Sequence, residues 1–376
     1  MYIKWNLTKK CTLNCKFCHN ASERKNWSHD VGIEQLDQII RNISKTNNLE
    51  GISLLGGDPL EYKYITQLAK LLEDRNIPFG FVTAGEEIYK GGYDEILLNK
   101  NLNFIGLSID SLNPGTVKYV RNKDMLQDQL KSLEYILDYK KRCNLKFKFF
   151  TNTIFMNINR SEIIDLIDSF KRKKVDKIQI LEYKHTKKSR HNFSVSFEEE
   201  LLFIDSIANY IKENEGEDFS NLELCFLPEP GKDYLRKISC NKKISLGTSS
   251  KCPIFRDTLF VSNDGFVYPC DNYKPYFRIS STSNEPEKIY RIENLIEKQL
   301  SSITYENEYF KDVKALKEES KEKLFGNLEP CNQCEYLLKE CYPCLQYSRG
   351  SSTQPYMYDL KCKYYLEKNS LLKETI

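Results

Sequence analysis

The placement of cysteine constrains this chain more than any other feature. There are 13 cysteines in 376 residues, and they are clustered. Cys11, Cys15 and Cys18 share one short stretch, Cys331, Cys334, Cys341 and Cys344 share another, and the middle is nearly empty. Disulfides would be expected of a small secreted domain. Here the chain is long and the cysteine number is odd, and the opening MYIKWNLTKK carries charge but no apolar signal core. No apolar run approaches the roughly 18 residues needed to cross a bilayer. Both features point to the cytoplasm, where clustered reduced thiolates are best explained as metal ligands. Lys+Arg 56 against Asp+Glu 53 leaves a net charge of +3, which argues against a broadly basic nucleic-acid binder. The expectation is no nucleic-acid partner and no membrane.

The chain up to residue 214 alternates between strand-like and helix-like segments. Strands are expected at Tyr2–Leu7, Gly51–Leu55, Pro78–Thr83, Phe104–Ser108, Leu145–Ile154 and Lys177–Leu181. Between them, Leu126, Leu130, Leu133 and Leu137 recur at helical spacing, as do Ile163, Ile164, Ile167 and Phe170. Asn159 followed by Glu162 predicts a capping box for the second of these helices. Phe197–Glu213 reads as a further helix. Repeated strand–helix units imply a parallel sheet, because parallel neighbours need crossovers. Six units are too few for a closed eight-fold barrel but suffice for an open, partial one, with chemistry at the carboxyl ends of the strands. The stretch Tyr183–Asn192 is basic and aperiodic and reads as an exposed, solvated loop. After about Cys225 the texture changes to short strands, turns and cysteines. The expected division is a partial barrel over 1–214, a linker over 215–238 and a cysteine-rich α+β domain over 239–376. Cys143 and Cys225 fall in strand-like stretches and read as buried small hydrophobes.

Cys11, Cys15 and Cys18 form C-x3-C-x2-C directly after the first strand. Three thiolates on a compact loop can hold three irons of a [4Fe–4S] cube and leave the fourth iron open. Zinc is the competing metal, although structural zinc sites want four closed ligands. His19, adjacent to Cys18, reads as a loop residue. The run CTLNCKFC, with Phe17 before the last cysteine, resembles the signature of radical S-adenosylmethionine (SAM) enzymes. That resemblance implies a partial (βα)6 barrel and chelation of the open iron by SAM. It also implies reductive cleavage of SAM to a 5′-deoxyadenosyl radical that takes hydrogen from a substrate. Gly56-Gly57-Asp58-Pro59, at the end of the second strand, is similar to the family's GGEP motif, which holds the SAM amino group, with Asp in place of Glu. By the same resemblance Ser108 contacts SAM with Asp110 nearby, Arg121 grips the SAM carboxylate and Asn152 reaches the ribose. The plain alternatives are a strand-end hydroxyl, a surface charge and a turn former.

Cys252, Gly265 and Cys270 read C-x12-G-x4-C, followed by C-x2-C-x6-C-x2-C and then Cys362. This set resembles the SPASM domain that many radical SAM enzymes append, whose usual central pattern is C-x2-C-x5-C-x3-C. The resemblance implies two auxiliary [4Fe–4S] clusters, three in all with the N-terminal one. One would take Cys240, Cys252, Cys270 and Cys344, and the other Cys331, Cys334, Cys341 and Cys362. Paired C-x2-C motifs also suit zinc ribbons.

The SPASM resemblance implies a peptide or protein substrate, oxidised by hydrogen abstraction with the second electron passed to an auxiliary cluster. The run DGFVYPCDNY is similar to a stretch of anaerobic sulfatase-maturating enzymes. There the Asp after the cluster cysteine is the base, here Asp271; the alternative is an Asp that caps a turn. His19-Asn20 and Leu55 depart from the sulfatase pattern. The reading is therefore a maturase of a small ribosomal peptide, which makes a crosslink, thioether or similar change. Formylglycine formation in sulfatases is the second reading. A non-catalytic iron–sulfur or zinc scaffold and a small-molecule dehydrogenase of the same superfamily remain open. A reductant such as flavodoxin or ferredoxin is implied. Since the first strand starts at Tyr2, a leader-binding domain ahead of it is not expected. A separate protein, or the barrel and SPASM domain themselves, would then recognise the leader.

Overall fold

A computed structural model describes residues 1–18, 30–183, 191–241, 244–247, 257–270, 276–277, 288–319, 329–339, 341 and 357–374. The six expected strands are present as β1 (Tyr2–Thr8), β2 (Gly51–Gly56), β3 (Phe79–Thr83), β4 (Leu102–Ser108), β5 (Lys148–Phe155) and β6 (Lys177–Glu182). Five short strands follow: β7 (Leu222–Leu224), β8 (Thr258–Val261), β9 (Val267–Tyr268), β10 (Tyr276–Phe277) and β11 (Lys288–Ile289). The helices are α1 (Ile33–Ser44), α2 (Ile65–Asp74), α3 (Asp94–Leu97), α4 (Pro114–Arg121), α5 (Leu126–Arg142), α6 (Ile163–Arg172), α7 (Phe197–Glu213), α8 (Glu229–Ile238), α9 (Leu300–Glu306), α10 (Glu308–Lys317) and α11 (Met357–Glu374).

The chain forms two compact units. The first comprises Met1–Ser108, Gln127–Phe149 and Pro253–Glu319. Its strands run in the order β4-β3-β2-β1-β8-β9, parallel except for the last. β1 lies between β2 and β8, paired Trp5 to Leu54 on one side and Trp5 to Val261 on the other. Ile3, Trp5 and Leu7 are buried on alternate positions, which is the period of a strand. The second unit comprises Ile109–Leu126, Phe150–Cys252 and Ser320–Ile376. In it β5, β6 and β7 are parallel, and α8 packs on α11.

Local chemistry accounts for the element ends. Asn76, Asn122 and Asn144 follow α2, α4 and α5 with φ of 53°, 57° and 52°, the left-handed conformation that asparagine tolerates best after glycine. Ser196 caps α7: its hydroxyl accepts the Glu199 N–H at 3.2 Å, and the Glu199 carboxylate accepts the Ser196 N–H at 3.0 Å.

Several expectations need correcting. The stretch 215–238 is no bare linker, since it contains β7 and α8. β8, expected in a separate cysteine-rich domain, pairs with β1 because β1 otherwise offers an unpaired edge. The capping box at Asn159 and Glu162 does not form: no side chain caps there, because both residues hold the loop after β4. The Asn159 amide donates to Asp110 O at 2.7 Å and Ile154 O at 2.9 Å, and Glu162 accepts from Thr116 Oγ1 at 2.8 Å and from Ser111. Cys143 is exposed just past α5, and Cys225 is only partly buried, in the turn after β7. Burial and the neighbouring Glu223 push the Cys225 thiol up to about 11. The basic stretch expected as a loop lies, from 184 to 190, outside the described residues.

Candidate functional site

Cys11, Cys15 and Cys18 occupy the loop at the carboxyl end of β1, with Cys15 buried, Cys11 and Cys18 half-buried and Phe17 buried beside them. The Cys18 N–H donates to Cys15 O at 3.3 Å, turning the chain between the last two thiols. The start of the loop is seated on the end of β2. Gly57 N–H donates to Thr8 O at 2.7 Å and Asp58 N–H to Lys10 O at 2.8 Å. This approach explains the glycine pair: a Cβ on Gly56 would strike Thr8 O, and one on Gly57 would strike Lys10 O. Gly56 also has a φ of 150°, which favours glycine. The motif thus serves the cysteine loop directly, whatever else it contacts.

The Asp58 carboxylate is buried and well occupied. It accepts from Leu60 N at 3.1 Å and Ala84 N at 2.9 Å, and the Thr83 hydroxyl lies 2.9 and 2.8 Å from its two oxygens. Pro59 opens the short 3₁₀ turn that Asp58 caps, where its missing N–H costs nothing. Asp58 therefore ties the end of β2 to the end of β3. Ser108 ends β4, and its carbonyl accepts from the fully buried Gln129 at 2.6 Å. Gln129 also donates to Ala84 O at 3.2 Å. Thr83 and Gln129 were not singled out by sequence; isolated polar residues in apolar segments give no pattern.

In the second unit Arg121 and Asp110 form a buried ion pair at 2.5 Å. The guanidinium expected to meet a ligand carboxylate thus has a protein carboxylate partner. Asp110 Oδ1 also accepts from Ile154 N at 3.0 Å. Asn152 is half-buried on β5. Its carbonyl accepts from Ile109 N at 3.0 Å, and its side-chain Oδ1 is buried without a hydrogen-bond partner among the described residues. A buried acceptor left so is costly, which makes Asn152 a place where a ligand donor is chemically apt.

Cys270 is buried two residues after β9. Cys252, Cys344 and Asp271 lie outside the described residues. In the second unit Cys331 and Cys334 sit on one tight turn, Cys334 N–H to Cys331 O at 3.1 Å, and Cys341 N–H returns to Tyr336 O at 2.9 Å. Tyr336 donates to Asp233 of α8 at 3.1 Å. Cys362 is half-buried on α11, and Cys240 is exposed after α8 with φ 53°. Among the described residues no three His, Cys, Asp or Glu side chains stand together as a metal cage. The donor set nonetheless fits iron–sulfur ligation by its chemistry: three thiols on one anchored loop, and four more on a knuckle and one helix. No helix among the described residues is long and apolar enough to cross a membrane.

Comparison with known proteins adds two family matches. Residues 5–170 match the Radical SAM superfamily, and residues 252–335 match SPASM, described as an iron–sulfur cluster-binding domain. Among curated proteins, the GTP 3′,8-cyclase of Nautilia profundicola is 27% identical over 185 residues, covering 48% of this chain and 56% of the relative. An S-adenosylmethionine-dependent nucleotide dehydratase of Selenomonas ruminantium is 22% identical over 167 residues, covering 44% and 60%. The chain thus spans less than two thirds of the length of these curated relatives. Among solved structures, Streptococcus suis SuiB bound to S-adenosylmethionine aligns with a TM-score of 0.60 at 17% identity, over 84% of this chain and 67% of that one. The anSMEcpe structure with AdoMet and the Cp18Cys peptide aligns with a TM-score of 0.64 at 18% identity, over 97% and 94%. These likenesses are of fold.

Proposed function

We propose that this chain, whose residues 5–170 match the Radical SAM superfamily and whose residues 252–335 match SPASM, is a radical SAM enzyme that acts as an oxidative maturase of a ribosomally made peptide. The observation that carries the reading is the pairing of two parts. One is the C-x3-C-x2-C loop seated on Gly57 and Asp58 at the strand ends; the other is the separate cysteine set that begins at Cys252 with the second family match. Cys11, Cys15 and Cys18 would hold the SAM-binding cluster. Cys331, Cys334, Cys341 and Cys362 would hold one auxiliary cluster, and Cys240, Cys252, Cys270 and Cys344 the other. When bound at the first site, a [4Fe–4S] cluster would supply the electron for reductive cleavage of SAM.

The protein residues have separable tasks. Gly56 and Gly57 let the cysteine loop approach β2, while Asp58, Thr83 and Gln129 lock the ends of β2, β3 and β4 in register. The Asn152 amide oxygen offers an acceptor to a ligand hydroxyl. Arg121, now paired with Asp110, presents a guanidinium that a ligand carboxylate could share. Asp271 would take the proton that leaves the substrate alongside the second electron. A flavodoxin- or ferredoxin-type reductant is required. A second reading, formylglycine formation in a sulfatase, is favoured by the 97% and 94% coverage of the alignment with anSMEcpe.

The test is mass spectrometry after anaerobic reconstitution with iron, sulfide, SAM and a reductant. Small peptides encoded beside the gene and a sulfatase-type Cys or Ser peptide are offered separately. Loss of two hydrogens from a neighbouring peptide, with 5′-deoxyadenosine formed, is the expected outcome. Conversion of the sulfatase peptide alone would replace it with the second reading. No SAM cleavage by a fully loaded protein would sink both and leave the scaffold.

A further inference from the structure

Residues 9–29, which include all three N-terminal cysteines, lie between Thr8 and Asp30 in the chain. These two residues are joined: the buried Thr8 hydroxyl donates to Asp30 Oδ2 at 2.6 Å. With its proton committed to Asp30, the same hydroxyl accepts the Lys10 N–H at 3.0 Å, one residue before Cys11. Asp30 uses its second oxygen as well, accepting from the Asn263 amide at 3.3 Å. Asn263 lies in the turn between β8 and β9, the hairpin that leads to Cys270, and its carbonyl accepts the Val31 N–H at 3.2 Å. Val31 O in turn accepts from the Tyr62 hydroxyl at 2.6 Å. Asp30 and Val31 are therefore fixed to the β8–β9 turn, as Thr8 is to the start of the cysteine loop.

We propose that Asp30 is a positioning residue for the cysteine loop: it closes the loop at its base through Thr8 and ties that closure to the hairpin that bears Cys270. The inference rests on the reading of Cys11, Cys15 and Cys18 as cluster ligands. The physical argument has two parts. Holding together two positions 22 residues apart in the chain removes closure entropy from the stretch that carries the three thiols. A carboxylate acceptor also makes the Thr8 bond charge-assisted, hence shorter and stronger than a neutral one. Fixing the hydroxyl rotor sets which lone pair meets the Lys10 amide and so orients the chain entering Cys11. Asp30 touches no thiol in this account; it acts through Thr8 and the backbone.

The test uses the full chain, reconstituted anaerobically and reduced, and follows the EPR signal that responds to added SAM. Its decay under an iron chelator is measured for the wild type and for Asp30→Ala, Asp30→Asn, Thr8→Val and the triple variant Cys11→Ala/Cys15→Ala/Cys18→Ala. Asp30→Ala should lose the signal about ten-fold faster or more, the factor expected for one charged hydrogen bond. Asp30→Asn keeps a neutral acceptor for Thr8 but forfeits the charge, and should fall between the wild type and Asp30→Ala, about three- to five-fold faster than the wild type. Thr8→Val, which keeps size and burial, should also speed the loss, and the double variant Asp30→Ala/Thr8→Val should lose the signal by less than the product of the two single factors, because the Thr8–Asp30 bond is common to both. Wild-type decay in Asp30→Ala, or additive losses in the double variant, would overturn the proposal. If Asp30→Ala does not fold, Thr8→Val against the wild type decides the matter alone. A SAM-responsive signal that survives in the triple cysteine variant would instead overturn the cluster reading, and the role of the clasp with it.

Discussion

Gly57 shows how much a single residue can be asked to do. Its N–H donates to Thr8 O, and the space a side chain would need is occupied by the backbone at Lys9 and Lys10. A Gly57→Ala change must therefore push the cysteine loop away from β2. We expect a loss of about 1–3 kcal/mol, the usual penalty for overpacking, together with lower iron retention after reconstitution. Thermal unfolding and iron content measure the two effects, and unchanged values for both would show that the loop does not seat there. At this scale the sequence was informative about identity and poor about role. Gly-Gly-Asp-Pro was visible as a motif. That its glycines make room for the preceding loop, and that Asp58 is held by Thr83 and Ala84, depends on residues far away in the chain. Asp30, Thr8 and Gln129 had no pattern to announce them, since a hydrogen bond between distant residues leaves no local signature.

At the scale of elements, α11 is held against its neighbours by polar anchors. Lys361 and Glu200 of α7 form an ion pair in which both side chains are largely buried. The Asn369 amide donates to Pro230 O at 2.9 Å. Gly231 of α8 lies so close to Tyr365 that a Cβ there would come within 2.9 Å of the ring. Removing one partner of a buried pair leaves the other charge uncompensated, at a cost of about 3–5 kcal/mol. Lys361→Met should therefore destabilise strongly, and Lys361→Met/Glu200→Gln should recover most of the loss. Burial pushes the Glu200 carboxyl above its ordinary value even though Lys361 pulls it down. A carboxyl raised on folding favours its protonated form in the native state. Its contribution to stability is thus present below the ordinary carboxyl range and lost as pH rises through its folded value. Without Lys361 that shift grows, so the deficit of Lys361→Met should be larger at pH 7 than at pH 5 in denaturant unfolding. A deficit independent of pH would mean that Glu200 is not buried as a charge. Helix periodicity made α5, α6 and α7 legible. The capping residues were less so: Asn159 and Glu162 have the right spacing, yet the loop after β4 competes for both side chains and wins.

At the scale of the whole molecule, the pairing of β1 with β8 matters most. β1 is flanked by β2 on one side and by a strand from the cysteine-rich stretch on the other. A chain cut after residue 252 would expose the edge of β1, bare its buried Trp5 and lose the Asn263 contacts to Asp30 and Val31. Exposed strand edges invite aggregation. We expect the 1–252 fragment to aggregate or to show a red-shifted emission of Trp5 in a Trp27→Phe background. A soluble fragment with cooperative thermal unfolding and native emission would show that the β1 edge does not need β8.

Periodicity, the spacing of the cysteines and Gly-Gly-Asp-Pro were enough to establish the alternation of strands and helices, the parallel sheet and the two cysteine sets. They were enough because each is a local property of the chain: a strand has a period of two, a helix of 3.6, and a thiolate loop is compact in sequence. Only the tertiary structure decided that β8 returns to β1, that 215–238 is a strand and a helix, and that Arg121 is paired with Asp110. It also decided that Asp30 meets the Thr8 hydroxyl and the Asn263 amide. Each of these is a contact between residues remote in the chain, settled by which buried edge, charge or amide lacked a partner. That competition for partners exists only once the chain has packed.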